Sequence, residues 1–357
     1  MRTVFIGTSD FAAAVLERLA RSDAHRPALV LTRPDRPRGR GRRLSSPPVA
    51  ELARALRLPL EQPASVNEPH ARAAIDRALG VTREAQRGLR GEHAPHAAAG
   101  EPGQEVHVQD ERAQEEARGH DEPAAGERAH DERAGVVVVC AFGALIKEPL
   151  LSEHELLNVH PSLLPRWRGA APVERAIMAG DERTGVSIMR LTAGLDSGPL
   201  CLAADEPIHA HDTYGSLAER LQAVAAELLV RALEQRPAFV EQPTEGVTYA
   251  EKLGPADRLL DPARPAVELE RVVRALHPHI GARVQLPGGE MLGVHRAALL
   301  DAREHQPRAQ PATPEAALDA HDGRLLLHCT PGMLELLVVQ PAGGRAMDAA
   351  DYLRGRR

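Results

Sequence analysis

The chain has 357 residues, 43% of them hydrophobic but only 2% aromatic, and a net charge of −6, which predicts two domains with cores of Leu, Val, Ala and Ile. No apolar run reaches the roughly 20 residues that cross a bilayer, MRTVFIG lacks a signal-peptide pattern, and three distant cysteines without a CxxC indicate neither a disulfide scaffold nor a zinc site, so a cytoplasmic protein is expected. The acidity does not exclude a nucleic-acid partner, because the 13 acids and 7 bases between Arg83 and Gly135 account for all of the excess.

TVFIG (3–7) reads as a short strand, followed by Thr8, Ser9 and Asp10 as possible N-caps for the amphipathic FAAAVLERLARS. PALVLTR (27–33) is a second strand. Next comes TRPDRPRGRGRRL (32–44), with six arginines against one acid, Asp35. Its Pro and Gly forbid a helix, so a flexible loop is expected, either a merely solvated charge run or an arm for a polyanion such as RNA. PPVAELARALRLPL reads as a helix opened by proline.

Segment 82–135 has Leu89, Val106 and Val108 as its only large aliphatics and is expected to be a disordered or solvated insertion. Its five histidines follow no ligand spacing and read as composition rather than as a metal site. VVVVCAFGALI (136–146) has the pattern of a strand buried on both faces of a parallel sheet. Strands alternating with helices to about residue 235 predict an α/β fold, a Rossmann-like doubly wound parallel sheet. RPAFVEQPTEGVTYAEKLGP has a linker's composition. Beyond residue 259, a helix over 266–278 precedes ARVQLP, EMLGVHRAAL, RLLLHCT and MLELLVVQP, which predict a small barrel or open sheet. The expected division is 1–235 containing the insertion, a linker over 236–258, and a C-terminal domain over 259–357.

LNVHPSLLPRWRGAAP (157–172) carries the first candidate chemistry. In a strand, Asn158 and His160 leave one face and Val159 the other, and Pro161 ends the pairing. That places an amide and an imidazole at a strand's carboxyl end, where open α/β sheets bind ligands. Both can donate to a carbonyl oxygen gaining charge; the plainer alternative is a structural Asn and a satisfied His. Downstream, VSIMRLTAGLDSGP (186–199) places Asp196 in a Gly-flanked turn, where a carboxylate brought to the imidazole would orient the ring and favour its protonated form. Taken alone, LDSG is an ordinary turn. Gly169, Ala170 and Ala171 leave room for a ligand, and Pro172 opens a helix that Gly180 caps. Arg166 and Arg168 suit phosphate and Trp167 a stacked base or pterin-like ring, unless they are a solvated pair around a packed indole.

With RPDRPRGRGRR near the start, NVHPSLLPRWRGAAP and IMRLTAGLDSGP resemble the bacterial methionyl-tRNA formyltransferases, over nearly the whole chain except 82–135. YAEKL (249–253) and RALHPHIGA (274–282) look like the opening and first helix end of that family's C-terminal OB-like β-barrel domain. The resemblance implies transfer of the formyl group of 10-formyltetrahydrofolate to initiator methionyl-tRNA, without a metal and without a covalent enzyme intermediate. It implies Asn158, His160 and Asp196 as the catalytic trio. The folate contacts would be Ser162, Leu163, Leu164 and Pro165, with the backbone of Phe142, Gly143 and Ala144 lining the pterin pocket. Arg36, Arg38, Arg40, Arg42 and Arg43 would approach the tRNA, and Arg166, Trp167 and Arg168 join them as candidate substrate contacts. A monomer is expected, without a membrane partner. Two features depart from the family pattern: Ser9 stands where proline is usual, and the insertion enters just before the strand that should build the folate pocket.

Formyltransferases acting on amino sugars or glycinamide ribonucleotide share the Asn-x-His and Asp logic, but the arginine loop and barrel-like tail favour tRNA. A dinucleotide-dependent oxidoreductase is disfavoured because FIGTSDFA offers no GxGxxG. Folate binding or formyl release would exclude a non-catalytic RNA-binding protein.

Overall fold

Apolar side chains on alternating faces make the first strands two-sided. The computed structural model describes residues 1–38, 43–81, 135–300 and 318–355; the insertion's expected disorder falls on 82–134, outside the described residues. In chain order the first half runs β1 (Thr3–Gly7), α1 (Asp10–Ala20), β2 (Pro27–Leu31), β3 (Arg36–Arg38), β4 (Arg43–Ser45), α2 (Pro48–Ala55), β5 (Leu60–Glu61) and α3 (Pro69–Leu79). After the insertion come β6 (Val136–Cys140), α4 (Leu150–Glu153), β7 (Glu155–His160), β8 (Arg168–Gly169), α5 (Pro172–Ala179), β9 (Arg183–Arg190), β10 (Leu200–Pro207) and α6 (Tyr214–Gln235).

The main sheet has the order β10-β9-β7-β6-β1-β2-β5. Phe5, Val136 and Val138 face one way into a core with α1 and α6, while Val4, Ile6, Val137 and Val139 face the other way onto Ile75 of α3. Helices therefore cover both faces, the doubly wound arrangement. Only the five strands from β5 to β7 are parallel; β9 runs antiparallel to β7, and β10 to β9. The short 191–199 connection can join β9 to β10 only as an antiparallel pair, since a parallel return needs a crossover of a dozen or more residues. Local signals hold at the helix ends. Ser9 Oγ accepts from the Ala12 N–H to cap α1, and Gly180 ends α5 with φ 76°.

The second half continues with β11 (Tyr249–Ala250), α7 (Ala266–Leu276), β12 (Ala282–Gln285), β13 (Met291–Leu299), β14 (Leu318–His321), β15 (Arg324–His328), β16 (Met333–Gln340), β17 (Met347–Asp348) and α8 (Ala349–Arg354). The path β12-β13-β16-β15-β14, with β17 on β16, is a curled antiparallel half-barrel; among the described residues no pairing joins β12 to β14. Leu269, Val272, Val273 and Leu276 of α7 fill its core against Val284, Val294, Leu325, Leu334 and Leu336.

The stretch between the halves is not a free spacer. Val240 exchanges two 2.8 Å backbone hydrogen bonds with Leu200, and β11 pairs in parallel with β8. Composition reports turn-forming residues but not the backbone partners that a distant segment offers.

Candidate active site

The parallel strands end together, and β7 brings Asn158 and His160 to that carboxyl edge. Both are buried, at 8% and 4% exposure, while Leu157 and Val159 point into the opposite core. The loop after β9 delivers Asp196 to the same face. Asn158 Nδ2 donates to Asp196 Oδ1 at 3.3 Å, the Gly169 N–H donates to Oδ2 at 2.8 Å, and His160 Nδ1 lies 3.7 Å from Oδ2. The three residues therefore meet.

His160 Nε2 sits 2.8 Å from the carbonyl oxygen of Trp167. A carbonyl only accepts, so Nε2 holds a hydrogen and Nδ1 is the nitrogen turned toward Asp196. Nδ1 is attracted to the carboxylate only when it carries a proton as well. The expected pairing of His160 with Asn158 as a second oxyanion donor thus gives way to a chain from Trp167 O through the ring to Asp196. Ala141, Trp167 and Asp196 take the left-handed region at φ 41°, 63° and 43°, conformations that cost about 1–3 kcal/mol each and persist only where neighbours enforce them.

Asp181 enforces one of them. It accepts two hydrogen bonds from Arg166, at 2.8 and 2.6 Å, and a third from Trp167 Nε1 at 2.7 Å, with the guanidinium 4.5 Å from the indole centroid. Arg168 donates to Gln242 Oε1 at 3.1 and 2.7 Å. Arg166, Trp167 and Arg168, expected to hold phosphate and a stacked ring, are therefore engaged by the protein itself. The physical reason is a carboxylate and an amide that fold back from 14 and 74 residues away.

Ser162 to Pro165 form a braced segment. Ser187 Oγ on β9 donates to Ser162 O at 2.8 Å and accepts from the Leu164 N–H at 3.1 Å, while Ser162 Oγ donates to Arg166 O at 2.6 Å. Leu163 lies between them, half-buried. Phe142 is buried with its carbonyl held by Thr8 Oγ1 at 3.0 Å, whereas Gly143 and Ala144 are exposed, and a Cβ at Gly143 would meet nothing within 4 Å. Leu145 and Leu195, 65% and 61% exposed, hold apolar surface out on the two loops. Open backbone with projecting leucines suits a flat, largely apolar ring.

The arginine run is a ribbon at its base rather than a flexible loop: β3 and β4 pair Arg36 with Ser45, Pro37 with Leu44 and Arg38 with Arg43. Pro and Gly exclude a helix but not a two-stranded hairpin. Arg40 and Arg42 lie outside the described residues. The lone acid anchors the ribbon, since Asp35 accepts from Gln62 Nε2 at 2.7 Å and Ser46 Oγ at 2.9 Å, bonds that hold its carboxyl below the ordinary range.

Four site-building residues, Asp181, Ser187, Gln242 and Thr248, carry no sequence signal of their own. Thr248 Oγ1 accepts from the Trp167 N–H at 2.9 Å. Among the described residues no group of three His, Cys, Asp or Glu side chains could hold a metal ion, and no helix is long and apolar enough to cross a membrane.

A family model described as formyl transferase matches residues 1–233, and one described as formyl transferase, C-terminal domain, matches 252–357. A protein of Halorhodospira halophila named methionyl-tRNA formyltransferase is 38% identical, covering 100% of this chain and 96% of its own. One of the same name from Ruegeria pomeroyi is 36% identical, covering 99% and 97%. Two solved structures share the fold at 11% identity. The methionyl-tRNA formyltransferase of Clostridium thermocellum has a TM-score of 0.51 over 84% of this chain and 94% of its own. The N-formyltransferase of Helicobacter canadensis, in complex with folinic acid and dTDP-3-aminofucose, reaches 0.53 over 94% and 98%.

Proposed function

The chain belongs to the formyl transferase family, and on that premise we propose that it transfers the formyl group of 10-formyltetrahydrofolate to the free amino group of initiator methionyl-tRNA, producing N-formylmethionyl-tRNA for translation initiation. The observation that carries this reading is the meeting of Asn158, His160 and Asp196 at the end of β7, in a chain similar from end to end to proteins of that name.

10-Formyltetrahydrofolate supplies a formyl carbon activated by its attachment to N10. Ser162, Leu163, Leu164 and Pro165, with the backbone of Phe142, Gly143 and Ala144, hold it. Asn158 Nδ2 has two hydrogens and gives one to Asp196; the other serves the formyl oxygen as charge builds there. The amine nitrogen attacks the formyl carbon. Asp196 takes the proton that the amine must lose, shares it with His160 Nδ1 and passes it to N10 as the bond from N10 to the formyl carbon breaks and tetrahydrofolate leaves, while the bond to Trp167 O keeps the ring turned toward the carboxylate. No bond forms between the formyl group and the protein.

Residues 1–235 make the catalytic domain, 236–258 the connection and 259–357 the tRNA-binding domain. Arg36, Arg38 and Arg43 of the ribbon, with Arg40 and Arg42 of the same run, contact the acceptor end of the tRNA. The enzyme works as a monomer in the cytoplasm.

The test is formylation of methionine-charged initiator and elongator tRNA with 10-formyltetrahydrofolate. Initiator tRNA is the expected substrate; formylation of a nucleotide-linked amino sugar and of neither tRNA overturns the assignment. Asp196→Asn is expected to keep folate affinity and lower turnover by about 10²- to 10⁴-fold, the usual range for a positioned acid or base.

A further inference from the structure

The geometry points to Gln242 as a positioning residue for Asp196, an inference that rests on the catalytic role proposed for that carboxylate. Gln242 lies in the stretch that neither family model matches, between residues 233 and 252. It is 9% exposed and its amide is fully used. Nε2 donates to the backbone carbonyls of Asp196 at 2.9 Å and Gly198 at 2.7 Å, and Oε1 accepts both hydrogen bonds from Arg168.

These contacts grip the carboxylate from two sides. Asp196 sits at φ 43°, a conformation that needs outside support, and Gln242 holds its carbonyl and that of Gly198 two residues on. Through Arg168 the same amide fixes the chain just before Gly169, whose N–H points at Asp196 Oδ2. The connecting segment extends the grip, with Thr248 Oγ1 on the Trp167 N–H and Ala250 O on the Ala170 N–H at 2.7 Å. A segment leading to the C-terminal domain thereby sets the position of a carboxylate in the N-terminal one.

The chemistry separates positioning from bulk. Gln242→Glu keeps an acceptor for Arg168 but loses both donors and turns an anion toward two carbonyl oxygens. Gln242→Met keeps the length and loses every hydrogen bond. Each variant is made in the full chain, alone and with Asp196→Asn, and assayed well below its own thermal midpoint. Both single variants are expected to lower kcat by about 100-fold, the cost of misplacing a reacting group by about 1 Å, with KM for folate and tRNA within about 2-fold. On the Asp196→Asn background the further loss should be under about 3-fold, because residues acting as one unit are not additive. A Gln242→Glu enzyme with wild-type kcat, a loss confined to KM, or a full second loss on that background overturns the positioning role while leaving Asp196 in place. Wild-type turnover by Asp196→Asn alone overturns the catalytic reading itself, and this inference with it.

Discussion

Gly169 shows how narrowly the site is drawn. Its φ of 119° is open to glycine and strained for other residues, and an added Cβ would stand 2.7 Å from the Ala250 carbonyl oxygen, inside the β8–β11 pairing. Gly169→Ala is expected to push those strands apart, turn the N–H away from Asp196, and lower turnover by about 100-fold with a stability loss of about 1–3 kcal/mol. Steady-state kinetics and urea unfolding read the two effects; wild-type turnover would mean that the N–H does not position the carboxylate. At this scale the strand period put Asn158 and His160 on one face, and LDSG marked the turn of Asp196. The partners that make these groups work were not legible. Asp181, Gln242 and Thr248 reach Trp167 and Arg168 across 14, 74 and 81 residues, and no local pattern records such a contact.

At the scale of elements, prolines marked the starts of α2 and α5, and apolar runs the parallel strands. The expected strand over 136–146 stops at Cys140, because Ala141 enters the left-handed region and the chain turns along the carboxyl edge. The ribbon of β3 and β4 rises after β2, whose carboxyl end shares that edge. Replacing Arg36, Arg38 and Arg43 with alanine is expected to raise KM for tRNA and leave KM for folate unchanged. Each lost phosphate contact should flatten the log-log dependence of tRNA affinity on salt by about 0.7–0.9. An unaltered slope in a filter-binding titration would detach the ribbon from tRNA.

Across the whole molecule the two halves are locked through α5. Met178 packs against both cores, Arg175 pairs with Asp257 at 2.7 Å, and Glu174 accepts from His279 at 2.9 Å beneath the ring of Tyr214. The helix that follows the site loop is thus also the domain contact. The flanks of the insertion are neighbours too: a Cβ at Gly80 would touch the Arg2 guanidinium, and one at Gly135 would lie 3.0 Å from Arg2 O. Both ends of 82–134 therefore leave from beside one residue, and a short Gly-Ser link can close the gap. That replacement is expected to keep the thermal midpoint and hold formylation within about 2-fold; loss of either would give the insertion a structural or catalytic part.

Periodicity, caps and motif residues by themselves determined an α/β half followed by a β half, and the carboxyl end of one strand as the place of the candidate site. These follow from contacts between near neighbours in the chain, where spacing and side-chain type suffice. Only the tertiary structure decided the antiparallel edge of the sheet, the ring of His160 turned to Trp167 O, the internal engagement of Arg166 and Arg168, and the part of the connecting segment in holding Asp196. Each is a hydrogen bond or strand pairing between segments whose meeting depends on the completed fold, and composition has no access to it.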